Sequence, residues 1–114
     1  MADERAGMLQ GTLELLVLKI ISLEPVHGWG ITQRIEQMSQ QVFQVNQGSL
    51  YPALYRLQKR GWISSEWGVS DNNRRARFYE LTPDGRHQLD AEVADFVRFA
   101  RVVFQALDVP AHSS

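Results

Sequence analysis

Asn46 to Ile63 reads N-Q-G-S-L-Y-P-A-L-Y-R-L-Q-K-R-G-W-I, a run in which leucines keep one spacing while hydroxyls, phenols and cations keep another. Leu50, Leu54 and Leu57 recur at the four-then-three interval of one buried helical stripe, leaving Ser49, Tyr51, Pro52, Tyr55, Arg56 and Lys59 on the other faces. Such side chains can make hydrogen bonds and ionic contacts. Ser49, Tyr51 and Tyr55 suit a phosphate, a sugar or a base methyl, and Arg56 and Lys59 suit phosphates or a base edge. The chemistry implied is recognition of DNA by a helix whose leucines only hold it in place.

The signals around this run define the element. Ser49 is the expected N-cap, and Pro52 is tolerated if it falls within the first turn. Gly61 stands where a left-handed residue closes a helix, and Lys59 and Arg60 place positive charge in the last turn. Trp62 to Trp67 and Arg77 to Leu81 are short β-prone runs separated by the turn-forming G-V-S-D-N-N, with Arg74, Arg75 and Arg77 near the tip. A hairpin directly after such a helix predicts a winged helix-turn-helix, its wing arginines reaching the flanking backbone or minor groove.

Upstream, Gly11 to Leu23 is apolar nearly all round and predicts a helix buried on several faces, ended by Pro25. His27-Gly28 is read as a turn into a second helix, with Ile31, Ile35 and Met38 inward and Gln33, Arg34 and Gln37 outward; residues 40–47 then form a loop. Thr82-Pro83 marks a further helix start. Beyond it Leu89, Val93, Phe96, Ala100, Val103 and Leu107 follow a heptad seam, which Val97, Phe99 and Phe104 widen beyond what a small core can cover. This predicts a dimerisation helix; the bland alternative is a core helix of a single chain. Phe96, Phe99 and Phe104, with Trp62 and Trp67, could also line an effector pocket, although aromatic stripes at helical spacing are usually plain core.

Composition narrows the class. The chain has 114 residues, 44% of them hydrophobic, which fits one domain with a modest core that a dimer interface would extend. No apolar run is long enough to span a membrane and no cleavable leader is visible, so the cytoplasm is the expected compartment. Zero cysteines exclude disulfides and thiolate chemistry. The net charge of −1 conceals a local excess: residues 56–79 hold six basic and two acidic side chains, a local +4 set against −5 elsewhere. Such focusing attracts phosphate at one face while limiting adhesion elsewhere. His27, His87 and His112 lie far apart, and neither an H-E-x-x-H nor a P-loop pattern occurs. No metal, cofactor or catalytic constellation is expected, and His27 is read as structural.

Five segments in order resemble the PadR-like transcriptional regulators: L-Q-G-T-L-E-L-L-V-L at Leu9 to Leu18, H-G-W-G-I at His27 to Ile31, G-S-L-Y-P-A-L-Y-R-L at Gly48 to Leu57, G-W-I at Gly61 to Ile63, and R-A-R-F-Y-E-L-T-P-D-G at Arg75 to Gly85. Trp29 stands where Tyr is commoner, keeping the ring and losing the hydroxyl. The resemblance covers nearly the whole chain and implies a short-form member. It implies dimers held by the terminal helix, some of which bind flat aromatic ligands at the dimer centre. The expected organisation is a DNA-binding winged helix-turn-helix over 1–81, a dimerisation helix over 82–108 and a tail over 109–114. The expected function is repression from an inverted-repeat operator, with double-stranded DNA and a second copy as partners. The alternatives are a protein-docking module of the same fold, or a ligand-sequestering protein, without DNA affinity.

Overall fold

A leucine and isoleucine face on every helix has to be covered, and the fold follows from how they cover one another. The computed structural model describes residues 2–109, their side chains from residue 11 onward. The elements are α1 (Ala2–Leu23), β1 (Val26–His27), α2 (Gly28–Met38), α3 (Gln47–Lys59), β2 (Ile63–Val69), β3 (Arg75–Leu81) and α4 (Pro83–Ala106). His112 and all but the first residue of the expected tail lie outside the described residues. The result is mainly α with a small β wing, as the sequence predicts.

Helix α1 runs through the middle and starts earlier than the expected Gly11. Its Val17, Leu18, Ile20 and Ile21 are buried on several sides, against α2, α3, β3 and α4. Ile31 and Ile35 of α2 join this core, as do Leu50, Ala53, Leu54 and Leu57 of α3. Burying each of the three leucines contributes about 1.5–3 kcal/mol, enough to hold an otherwise polar α3 in place. Met38 departs from expectation and is exposed, because α2 ends there and Gln40 and Gln41 adopt positive φ and turn the chain away.

His27 and Asn46 cap the two helices that follow them. His27 Nδ1 accepts from the Gly30 amide at 3.0 Å, and the His27 ring meets Phe78 edge-on. Asn46 Oδ1 accepts from the Ser49 amide at 2.9 Å. Asn46 is therefore the N-cap of α3, and Ser49, expected in that role, is the third helical residue. Pro52 accordingly lies beyond the first turn, where it cannot donate to the Gly48 carbonyl; its ring is exposed. The segment before α2 also differs from the expected plain turn. Val26 and His27 pair antiparallel with Tyr79 and Phe78, making a three-stranded sheet of order β1-β3-β2.

The far end of α3 is built as expected. Gly61 sits at φ +81, its amide donates to the Gln58 carbonyl, and the Trp62 amide donates to the Leu57 carbonyl. These two bonds close the helix with the left-handed motif that glycine permits. Trp62 precedes β2, which begins at Ile63 and pairs with β3 from Ile63–Leu81 out to Val69–Arg75. Thr82 then ties the next helix to the same point. Its amide donates to the Trp62 carbonyl, its hydroxyl donates to the Gly61 carbonyl at 2.7 Å, and Oγ1 accepts from the Gly85 amide at 3.0 Å. Leu89 is buried on α1, whereas Val93, Phe96, Val97, Phe99, Val102 and Leu107 further along α4 remain about half exposed. Ala100, Val103 and Phe104 are partly covered.

Gly85 is the closest approach in this junction, since a Cβ there would overlap the Trp62 carbonyl oxygen and come within 2.8 Å of its carbonyl carbon. Gly11, exposed on α1, has no such neighbour. Gly85→Ala should destabilise the fold by at least about 1–3 kcal/mol through overpacking, whereas Gly11→Ala should stabilise it by about 0.5–1 kcal/mol through helix propensity. Denaturant unfolding of both variants checks the contrast, and equal effects would mean that the junction is loose.

Candidate nucleic-acid interface

Strand alternation sorts the wing by charge. Ser65, Trp67 and Val69 of β2 face the same side as their partners Tyr79, Arg77 and Arg75, while Glu66 and Glu80 belong to the opposite side. At the base of the sheet the first side is core, with Ile63 and Tyr79 buried; towards the tip it continues past α3 and becomes exposed. The basic wing residues thus stand on the α3 side, and the carboxylates of the strands on the far side.

The two surfaces meet in an open trough of about 500 Å3 lined by Tyr51, Tyr55, Gln58, Lys59, Arg77 and Tyr79. A chain of hydrogen bonds spans it: Arg77 Nε donates to Ser65 Oγ at 2.8 Å, and Ser65 Oγ donates to Gln58 Oε1 at 3.1 Å. Trp67 orders the cations beyond. The Arg75 and Arg77 guanidinium carbons lie 4.7 and 5.4 Å from its ring centroid. Cation–π contacts of this exposed kind contribute about 0.5–1 kcal/mol each and, more usefully, restrict long side chains that would otherwise be disordered. Arg74 is exposed at the tip, where the Ser70 amide donates to its carbonyl.

Towards α2 the trough opens into a cleft lined by Trp29, Gln33, Tyr51, Trp67 and the wing arginines. Trp29 is 59% exposed there. Tyr51 lies across Gly28 so closely that a Cβ on Gly28 would sit 2.6 Å from the phenol oxygen. The missing side chain of this glycine leaves the room that the end of the Tyr51 ring occupies.

The predicted residues therefore divide. Tyr51, Tyr55, Lys59, Arg75 and Arg77 share one continuous surface, with Arg74 at its edge. Ser49, Pro52 and Arg56 border a different, mostly apolar groove with Leu13, Leu16, Val42 and Phe43. Arg56 is tied down on that side: its Nε donates to Glu14 Oε2 at 2.7 Å, and Arg60 Nη1 donates to Glu14 Oε1 at 3.4 Å. The residues considered for an effector are also dispersed. Trp67 lies beneath Arg75 and Arg77, Trp62 beneath Arg60 at 5.2 Å, and Phe96 and Phe99 on the exposed side of α4; the cleft that Trp67 lines holds none of the other three.

Asn46, Ser65, Gln58, Glu14 and Gly28 were not among the sequence-predicted residues. Period-two alternation on β2 would have placed Ser65 beside Trp67, but no local pattern pairs Glu14 with Arg56. Among the described residues no cluster of acidic or histidine side chains could hold a metal ion, and no helix is long and apolar enough to cross a membrane.

Tyr79 forms the floor of the trough. Burial raises its phenol above the ordinary value near 10.0; the Tyr51 phenol adds to the rise and Arg77 opposes it. Since the folded state holds this proton more tightly than the unfolded chain, the associated stability is fully present below pH 10.0 and is lost as pH rises through the folded value. Tyr79→Phe should flatten the loss of stability above that pH. Alkaline denaturation checks it, and an unchanged pH slope would mean that Tyr79 titrates freely.

Residues 17–91 match the Transcriptional regulator PadR-like family. The chain is 34% identical over 94 residues to the transcriptional regulator Rv3488 of Mycobacterium tuberculosis, covering 82% of this chain and 84% of that protein. It is 27% identical over 100 residues to an uncharacterised protein of Lysinibacillus sphaericus, covering 87% and 91% respectively. The crystal structure of a PadR-like transcriptional regulator from Bacillus cereus, BC4206, superposes with a TM-score of 0.78 at 29% identity, covering 91% of this chain and 99% of that one.

Proposed function

The chain belongs to the PadR-like family of transcriptional regulators, which are not enzymes, and from that premise we propose that it represses transcription by binding an inverted-repeat operator as a homodimer. One observation carries the proposal: Tyr51, Tyr55 and Lys59 of α3 and Arg75 and Arg77 of the wing line one surface, with the strand carboxylates turned away. In this reading α3 enters the major groove, and the wing cations neutralise phosphates beside it. Two copies related by a dyad would set their α3 helices into successive major grooves about 34 Å apart and block polymerase by occupancy.

The second copy would cover the apolar side of α4. Val93, Phe96, Val97, Phe99 and Leu107 leave apolar side chains about half exposed along this side. With Leu89 buried on its own chain, the expected dimer seam begins at Val93 and runs through Ala100, Val103 and Phe104. A small planar aromatic effector belongs to the finer part of the proposal, with Phe96 and Phe99 of the two copies as its setting. It would have to bind two states with different affinity, so a compound that binds without weakening DNA affinity is no effector. A cytoplasmic location goes with this reading.

Two experiments test it. Phe96→Asp puts a carboxylate into the proposed seam and should yield monomers with weakened operator binding, measured by sedimentation and by titration of DNA. A variant that stays dimeric and binds normally would show that α4 does not join two copies. Operator and scrambled duplexes, titrated over a range of salt, separate anchoring from reading. Arg75→Ala should weaken both equally and make the salt slope shallower by about one unit. Tyr51→Ala should reduce the specific-to-non-specific ratio by about 1–3 kcal/mol if the phenol helps to read a base pair. If neither variant alters binding at any salt, the surface is wrong and the docking-module reading takes its place.

A further inference from the structure

The hydrogen-bond chain across the trough has a direction, and the direction decides what Gln58 can offer. Tyr51, Tyr55 and Gln58 repeat the four-then-three interval of Leu50, Leu54 and Leu57 one position further on, so they form an exposed stripe of α3 beside its buried one. All three line the trough. Arg77 Nε donates to Ser65 Oγ at 2.8 Å, and that hydroxyl donates its own hydrogen to Gln58 Oε1 at 3.1 Å. The Gln58 carboxamide is therefore held with its acceptor turned to the wing. Its Nε2 amine, on the other branch of the same planar group, has no acceptor among the described residues. Arg77 has a second hold in the Trp67 ring, 5.4 Å from its guanidinium carbon, and keeps both terminal amino groups for other partners.

We propose that Gln58 reads one base pair of each half-site and that Ser65 is the positioning residue that makes it read guanine rather than adenine. The proposal rests on the DNA-binding reading above. In the major groove guanine offers two adjacent acceptors, N7 and O6, whereas adenine offers the N7 acceptor beside the N6 amino donor. A glutamine selects adenine by giving its amine to N7 while its carbonyl accepts from N6, and that requires both branches of the amide to face the base. Ser65 holds the Gln58 carbonyl on the wing side, so the amine approaches the base alone. Against guanine it meets acceptors; against adenine it lies beside a second donor, and both lose hydration without a partner. The Trp67 ring retains Arg77 whether or not Ser65 is present, so its charge stays beside the DNA backbone.

The test is selection of bound sequences from random duplex DNA by the full chain and by its Gln58→Ala, Ser65→Ala and Ser65→Thr variants. The selected duplex and its guanine-to-adenine replacements are then titrated over a range of salt. The wild-type chain should select a guanine at one position of each half-site and bind the adenine replacement about tenfold more weakly. Gln58→Ala should lose the preference at that position and at no other. Ser65→Ala should lose it at the same position, because the freed amide can turn its carbonyl to N6 and accept adenine as well. Ser65→Thr keeps the hydroxyl on a residue that suits a strand and should retain guanine. None of the three should change the plot of log K against log salt, because no cation is removed. A structural role for this chain of bonds would instead lower affinity for every sequence and leave the preferences intact, and that result overturns the proposal. So does an adenine at the position that depends on Gln58, or a guanine preference lost in Gln58→Ala but kept in Ser65→Ala. A slope made shallower by Ser65→Ala would place its effect on Arg77 and overturn it too. Gln58 is exposed on α3, so its arm of the test is independent of whether Ser65→Ala folds. Failure of the wild-type chain to bind any duplex would sink the DNA-binding reading itself.

Discussion

The orientation of every functional element depends on one junction of helix caps. Gly61 adopts a conformation that a Cβ would oppose, and this lets the amides of Gly61 and Trp62 close α3 on the Gln58 and Leu57 carbonyls. The carbonyls of Gly61 and Trp62 then accept from the hydroxyl and the amide of Thr82, whose Oγ1 caps α4. A few residues thus end α3, lead into the wing and start α4. Only two residues separate α3 from the Ile63 start of β2 beyond its Arg60 cap, and Thr82 alone separates β3 from α4.

That coupling gives the exposed side of α4 its significance. The first turns of α4 complete the core through Gly85 and Leu89, while from Val93 onward its apolar residues remain half covered. A chain of this size has limited capacity to bury apolar surface by itself. If a second copy covers α4, the spacing of the two α3 helices is set by packing between rigid elements, and operator geometry becomes a property of side-chain volume along the seam.

Charge is managed with comparable economy. A chain of net charge −1 has little long-range attraction for DNA, so the placement of individual cations matters more than their number. Trp67 lies against Arg75 and Arg77, Ser65 and Gln58 link Arg77 to α3, and Glu14 pairs with Arg56. What remains beside Tyr51 and Tyr55 is a narrow basic surface.

The features legible in the sequence are those whose cause is local. The Leu50, Leu54, Leu57 stripe, the Gly61 stop, the Thr82-Pro83 start and the hairpin between Trp62 and Leu81 each follow from periodicity or capping within a few residues, and together they determine a winged helix-turn-helix. Even among local features, competition between similar groups needed the structure: Asn46 and Ser49 are comparable caps, and the one whose oxygen meets the third amide prevails. Tertiary structure alone decided the rest. Val26 and His27 become a strand because Phe78 and Tyr79 offer them a free edge. Met38 is exposed because the chain turns away after α2. Arg56 turns to α1 because Glu14 is brought against it from a distant stretch of chain. Helical period and caps act over one or two turns, whereas an ion pair or a sheet edge depends on which segments meet, and only the packed fold brings them together.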